Sequence, residues 1–209
     1  MPDQKESVIH SQTAERREDL TTTQIISLIV KSANFAAVKH SKQRRKDPAE
    51  TPYINHPLGV ANILIQEGDV YDPVVIAAAL LHDTVEDTDT TIQEIEREFG
   101  KSVSDVVAEV TDDKSLSKAE RKLEQIRHTP GISYEAKLVK LADKIYNLRD
   151  LQRVTPVGWT PERVAEYFEW SKAVIDGCRG SNNKLEKIVD SVFAEQSAKT
   201  VELRERCKE

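Results

Sequence analysis

The sequence predicts an all-α fold in a single domain, on three observations. An apolar run, Val74 to Leu81, shows no polar face and therefore belongs in an interior. Other segments repeat their apolar residues every three to four positions, with Ser, Thr or Asp ahead of them and Gly or Pro behind, as helices begin and end. Sustained alternation at period two, the mark of a half-buried strand, is missing from the sequence pattern. At 209 residues and 38% hydrophobic, the chain has material for one good core.

Taken in order, residues 1–20 are polar and charged without an apolar period and read as a disordered extension ahead of a domain at 21–200. Thr21-Thr22-Thr23 offer an N-cap to a helix outlined by Ile25, Ile26, Ile29, Val30, Ala33, Phe35, Ala36 and Ala37. It ends near His40, read as a helix-end residue. A basic loop follows, Lys42 to Lys46, closed by Asp47-Pro48. In Thr51-Pro52-Tyr53-Ile54-Asn55-His56-Pro57 two prolines fix the backbone, and Pro57 suits the first position of a helix running to about Gln66, so His56 is held at its entrance.

The apolar helix ends in His82-Asp83-Thr84-Val85-Glu86-Asp87. If the helix continues one more turn, these acidic groups and His82 converge on one side. Three carboxylates so close repel one another, and a divalent cation held by His82 and Asp83 relieves this, leaving Glu86 and Asp87 for proton handling. Thr88 to Thr91 then cap a short helix, Ile92 to Phe99, stopped by Gly100, with another from Ser102 to Val110.

The stretch from Asp112 to Arg127 is highly charged; Lys118 and Arg121 read either as a solvated face or as facing a phosphate. Between Tyr134 and Leu151, Leu138, Leu141, Ile145 and Leu148 form an apolar stripe and Asp143, Asn147 and Asp150 a polar one. Apolar neighbours beside the polar stripe make Asp143 a candidate fourth ligand. Gly158-Trp159-Thr160-Pro161 breaks the chain and caps a helix with Tyr167, Phe168 and Trp170, aromatics that are core unless Tyr167 meets substrate. A last helix from about Asn182 ends in a charged tail, 201–209.

Composition narrows the function. The net charge of −6 argues against a nucleic-acid surface, so an anionic substrate must meet a local basic cluster or a metal. Two distant cysteines, Cys178 and Cys207, fit no disulfide or zinc spacing, and cytoplasm is the expected location. The longest apolar run is far short of the about 20 residues of a membrane helix, so no membrane partner is expected. A homo-oligomer stays open.

His56, His82, Asp83 and Asp143 together form a mixed nitrogen and oxygen set with room for water and substrate. With the basic loop up to His56-Pro57, the stretch Ala79 to Thr88, and Lys137 to Arg149, the chain resembles the hydrolase domain of the RelA/SpoT family, in the HD superfamily of metal-dependent phosphohydrolases. Its short length, with Gly158-Trp159 and Glu166 to Trp170, is most similar to the stand-alone metazoan branch. The resemblance implies an HD-type helical domain that uses Mn²⁺ to remove the 3′-pyrophosphate of guanosine tetra- or pentaphosphate, giving GDP or GTP. It implies that His56, His82, Asp83 and Asp143 hold the metal and that Glu86 and Asp87 prepare the attacking water. It further implies nucleotide contacts at Arg45, Lys46 and Asn147, and at Lys118, Arg163 and Tyr167. The alternatives are removal of the 2′-phosphate of NADPH at the same site, a non-catalytic nucleotide-binding module, or an interaction module built on the charged helix.

Overall fold

The computed structural model describes the backbone of residues 20–206 and the side chains of residues 20–199, and among them the all-α expectation holds, with helices, one 3-10 turn and no strand. The expected extension lies outside the described residues except for Leu20, as do residues 207–209 of the expected tail. In order, the elements are α1 (Thr22–Lys39), α2 (Asn55–Gln66), α3 (Pro73–Leu81), α4 (Thr84–Asp87), α5 (Ile92–Phe99) and α6 (Lys101–Val110). Then come α7 (Lys118–His128), the 3-10 turn Thr129–Gly131, α8 (Tyr134–Arg153), α9 (Pro161–Asp176) and α10 (Asn183–Arg206). No helix of the described residues is long and apolar enough to cross a membrane.

Helix α3 is started by Asp72, whose carboxylate accepts from the amides of Val74 (2.8 Å) and Val75 (3.4 Å), with Pro73 preset in the first turn. Every residue from Val75 to Leu81 is buried, because α1, α2, α6 and α8 all pack on it. Ala77, Ala78 and Ala79 are small enough to let those neighbours approach, and each larger apolar side chain sealed there contributes about 1.5–3 kcal/mol. The C-terminus of α3 is thereby delivered to the middle of the protein.

The helix does not continue through the acidic segment. It stops at Leu81, His82 and Asp83 form a turn, and Thr84–Asp87 make a separate single turn. The cause is side-chain competition for carbonyls that a continuing helix would offer to amides four residues on. His82 Nδ1 donates to Ala79 O (2.7 Å) and Thr84 Oγ1 to Leu81 O (2.7 Å). Asp87 N still bonds Asp83 O at 2.8 Å, so Glu86 and Asp87 return to the side of Asp83 across the break.

Pro57 is the third residue of α2 rather than the first, still within the turn whose amides need no helical partner. Gly100, at φ 86°, both ends α5 and opens α6, which starts at Lys101, one residue before the expected Ser102; left-handed backbone of this kind favours glycine. Helix α8 buries Leu138, Leu141, Ile145 and Leu148, as its apolar stripe predicts. Gly59 of α2 faces the ring of Tyr146 on α8, where a Cβ would lie 2.0 Å from Tyr146 Cε2. Gly59→Ala is therefore expected to destabilise the fold by about 1–2 kcal/mol, overpacking of about 1–3 kcal/mol outweighing alanine's helix preference. Urea unfolding checks this, and an unchanged midpoint would mean that the ring swings aside freely.

Candidate metal centre and substrate cleft

His56, in the first turn of α2, and His82, in the turn after α3, are buried and face each other with their Nε2 atoms 3.2 Å apart. His56 Nε2 lies 3.3 Å from Asp83 Oδ2 and 3.2 Å from Asp143 Oδ1; His82 Nε2 lies 3.1 Å and 3.8 Å from the same two oxygens. The two imidazole nitrogens lie 3.1–3.8 Å from one another and from each carboxylate oxygen, the spacing of neighbouring ligands on bonds of about 2.0–2.2 Å. Donor atoms of His56, His82 and Asp143 all lie within 4.8 Å of one another and form the tight part of the set, with Asp83 reaching it through the two imidazoles. With His82 Nδ1 committed to Ala79 O, the neutral ring presents an Nε2 lone pair to the well. The donor set fits a divalent cation.

The carboxylates are tuned by what surrounds them. Burial disfavours charge on Asp143, but Lys144 (Nζ to Oδ2, 3.0 Å) and the two imidazoles outweigh it and hold the carboxyl well below the usual range. Asn147 Nδ2 also donates to Asp143 Oδ1 at 2.6 Å. Burial likewise opposes an imidazolium at His82, yet Asp83 and Asp143 push that ring up to about 9. Glu86 is different: burial, then Asp112, Asp83 and Asp87, raise it to about 7, with Arg121 (3.3 Å) working the other way. Burial and Asp83 also raise Asp87. A carboxyl poised near neutrality beside a cation site can accept a proton at physiological pH.

The well of about 230 Å³ opens into two further spaces that share its walls. The first, about 390 Å³, is lined by Arg44, Arg45, Lys46, Tyr53, Trp159 and Tyr167 among others. The basic loop is held in place by an antiparallel bridge between Arg44 and Pro52 and by Val157 N donating to Lys46 O (2.7 Å). Arg45 is boxed in: its guanidinium donates to Asn147 Oδ1 (2.8 Å) and Asp150 Oδ2 (3.0 Å) and sits 5.7 Å from the rings of both Tyr53 and Tyr146. Lys46 is exposed and reaches both side spaces.

The second space, about 240 Å³, holds Lys118, Arg121, Lys122, Arg163 and Trp170. Arg163 stacks 4.3 Å over Trp159, and Tyr167 lies between Trp159 (5.7 Å) and Trp170 (5.2 Å). The sequence-derived candidates thus fall into one connected cleft. His56, His82, Asp83, Glu86, Asp87, Asp143, Asn147 and Arg45 line the well, Lys46 and Tyr167 both side spaces, and Lys118 and Arg163 the second.

Sequence reasoning passed over Tyr53, whose hydroxyl donates to Asp83 Oδ2 (2.7 Å) and lies 3.3 Å from Asp87 Oδ2. Its signal was its place three residues before His56 on a proline-fixed turn. His40 does end α1, and its ring lies 4.8 Å from Tyr53. Lys140 and Lys144 were passed over too; two lysines one turn apart inside an apolar helix stretch could have marked them.

Comparison with known proteins gives the following. The profile of the HD domain matches residues 32–167. A Xenopus tropicalis protein named guanosine-3′,5′-bis(diphosphate) 3′-pyrophosphohydrolase MESH1 is 61% identical over 170 residues, 81% of this chain and 95% of that protein. The Homo sapiens protein of the same name is 57% identical over 168 residues, 80% of this chain and 94% of the other. A solved structure described as "A metazoan ortholog of SpoT hydrolyzes ppGpp and plays a role in starvation responses" superposes with a TM-score of 0.80 at 51% identity, covering 81% of this chain and 96% of that one.

Proposed function

Because the chain belongs to the HD-domain family, in the group of the metazoan SpoT homologues, we propose that it is a Mn²⁺-dependent hydrolase of guanosine-3′,5′-bis(diphosphate) that releases the 3′-pyrophosphate. The observation that carries this reading is the juxtaposition of a four-donor cation well with a carboxyl near neutrality and a basic, aromatic cleft large enough for a nucleotide. His56, His82, Asp83 and Asp143 would hold the cation. When bound, a divalent cation there supplies Lewis acidity, drawing charge from phosphate oxygens and making water a stronger acid.

The residues do the rest. Glu86, with Asp87 beside it, takes a proton from the attacking water as its oxygen bonds to the phosphorus next to the ribose 3′-oxygen. The bond from that phosphorus to the 3′-oxygen breaks, the 3′-oxygen regains a proton, and pyrophosphate departs. Tyr53 holds Asp83 and Asp87 in register through its hydroxyl. Arg45 is too thoroughly paired to swing, and it shapes the wall between the well and the cleft through Asn147. Lys46, Lys118 and Arg163 meet phosphates, and Trp159 and Tyr167 offer faces to the base.

Turnover of guanosine tetraphosphate by purified protein with Mn²⁺ tests the reading, and no release of pyrophosphate would sink it. Lys46→Ala sharpens the test. If Lys46 meets charge building on the leaving pyrophosphate, kcat should fall with kcat/KM, by about tenfold or more. The same variant should lose less on NADPH, whose single 2′-phosphate leaves less charge to meet. Equal losses on both would place the effect in the geometry of the well instead.

A further inference from the structure

Lys140 is a buried cation that the proposed reaction does not yet use. It lies on the face of α8 that carries Lys144 one turn later, and it is 7% exposed. Lys144 is satisfied: it bonds Asp143 at 3.0 Å and sits 4.6 Å over the ring of Trp170. Lys140 has no hydrogen bond and no ion pair among the described residues. Its side chain lines the metal well, beside Asp112, Gln125 and Asp143, and also an adjoining space bounded by Asp112, Arg121 and His128.

The stem of Lys140 is buried, but its ammonium is not among the polar atoms sealed off without a partner, so the head group meets the open space of the well, where an incoming anion can complete its pairing. The surroundings already lean against the charge. Burial lowers the lysine's pKa, Lys144 lowers it further, and Asp112, Asp143 and Cys178 only partly restore it. Each of those carboxylates is engaged elsewhere: Asp112 accepts from Gln125 Nε2 at 2.8 and 2.7 Å, and Asp143 is held by Lys144 and Asn147.

We propose that the ammonium of Lys140 is an anion-binding group of the well, taking an oxygen of the phosphate seated beside His56, His82, Asp83 and Asp143; this rests on the phosphohydrolase reading above. A phosphate is the chemical class that fits, since the well is lined by polar and charged groups and already carries the donors for a divalent cation, which favours phosphate oxygens. The lysine then contributes a direct charge-assisted bond from within the well, where Lys46, which lines only the two side spaces, does not reach.

Calorimetric titration with inorganic pyrophosphate, at saturating Mn²⁺ in both solutions, compares wild type with Lys140→Met and Lys140→Arg. The expected result is about tenfold or greater weakening of pyrophosphate binding by methionine, partial recovery by arginine, and Mn²⁺ affinity within about twofold of wild type. The thermal midpoint of the free methionine variant should not fall, since a largely desolvated charge without an ion-pair partner has been removed at nearly constant shape. A lysine with a purely structural role gives the reverse pattern, a lower midpoint with undiminished pyrophosphate affinity, and that would overturn the assignment. If the methionine variant does not fold, Lys140→Gln takes its place under the same criteria. Wild type that binds pyrophosphate through Lys140 but leaves guanosine tetraphosphate intact would sink the substrate assignment and spare Lys140. Wild type that hydrolyses the nucleotide while Lys140→Met binds pyrophosphate equally well would do the opposite.

Discussion

Replacing His82 by alanine is expected to strip the protein of its divalent cation and to lower hydrolysis of guanosine tetraphosphate by about a thousandfold or more. The ring is 6% exposed, its Nδ1 is fixed to the Ala79 carbonyl, and its Nε2 faces His56 and Asp83 at 3.2 and 3.1 Å. Alanine deletes this donor and leaves Asp83 and Asp143 facing each other with one imidazole between them, so the remaining groups cannot close a shell. Because His82 lies in a turn beyond the end of α3, its loss removes no helix-packing contact of Val75 to Leu81. Far-ultraviolet circular dichroism should therefore stay helical while elemental analysis finds no bound metal. A variant that retains stoichiometric metal and full turnover would remove His82 from the centre.

Glu86→Gln should separate chemistry from metal binding. Glutamine keeps the size and the contact with Arg121 but cannot take a proton, so turnover should fall by about 10²–10⁴ with the cation still bound. The pH profile supplies an independent signature. Glu86 must be ionised to act, so activity rises with pH through its pKa, about 7 before a cation draws it lower. The acid limb of kcat/KM in the wild type should lie at or below about pH 7 and vanish in the glutamine variant. Loss of metal and rate in equal measure would instead make Glu86 a ligand.

What the sequence disclosed and what it withheld divide along physical lines. Helical periodicity tells which face of a segment is buried, so α3 and the apolar stripe of α8 were legible, and with them the delivery of His82, Asp83 and Asp143 to one place. Cap residues fixed most boundaries for the same reason: Thr21, Thr91 and Thr160 act through amides three residues away. The break between α3 and α4 was not legible, because it depends on whether His82 and Thr84 turn their side chains back onto carbonyls. Pairings between distant segments leave no local trace at all. Arg45 reads in the sequence as one member of a basic loop, yet its partners Asn147 and Asp150 are 102 and 105 residues away. Lys140 looks like the solvated edge of a helix until the other elements close over it.

The cleft is assembled from two kinds of material. Its floor hangs from α2, α3 and α8, whereas its two side spaces add the loop 41–52, the segment 154–160, one face of α9 and α7, which buries no residue of its own. Substitutions at exposed positions of those outer parts, such as Lys46 and Lys118, cost little in folding and touch none of the metal-site residues, whereas Arg45 is tied to the centre through Asn147. Preference among phosphorylated nucleotides can therefore be redesigned at those exposed outer positions while the reaction centre is left in place.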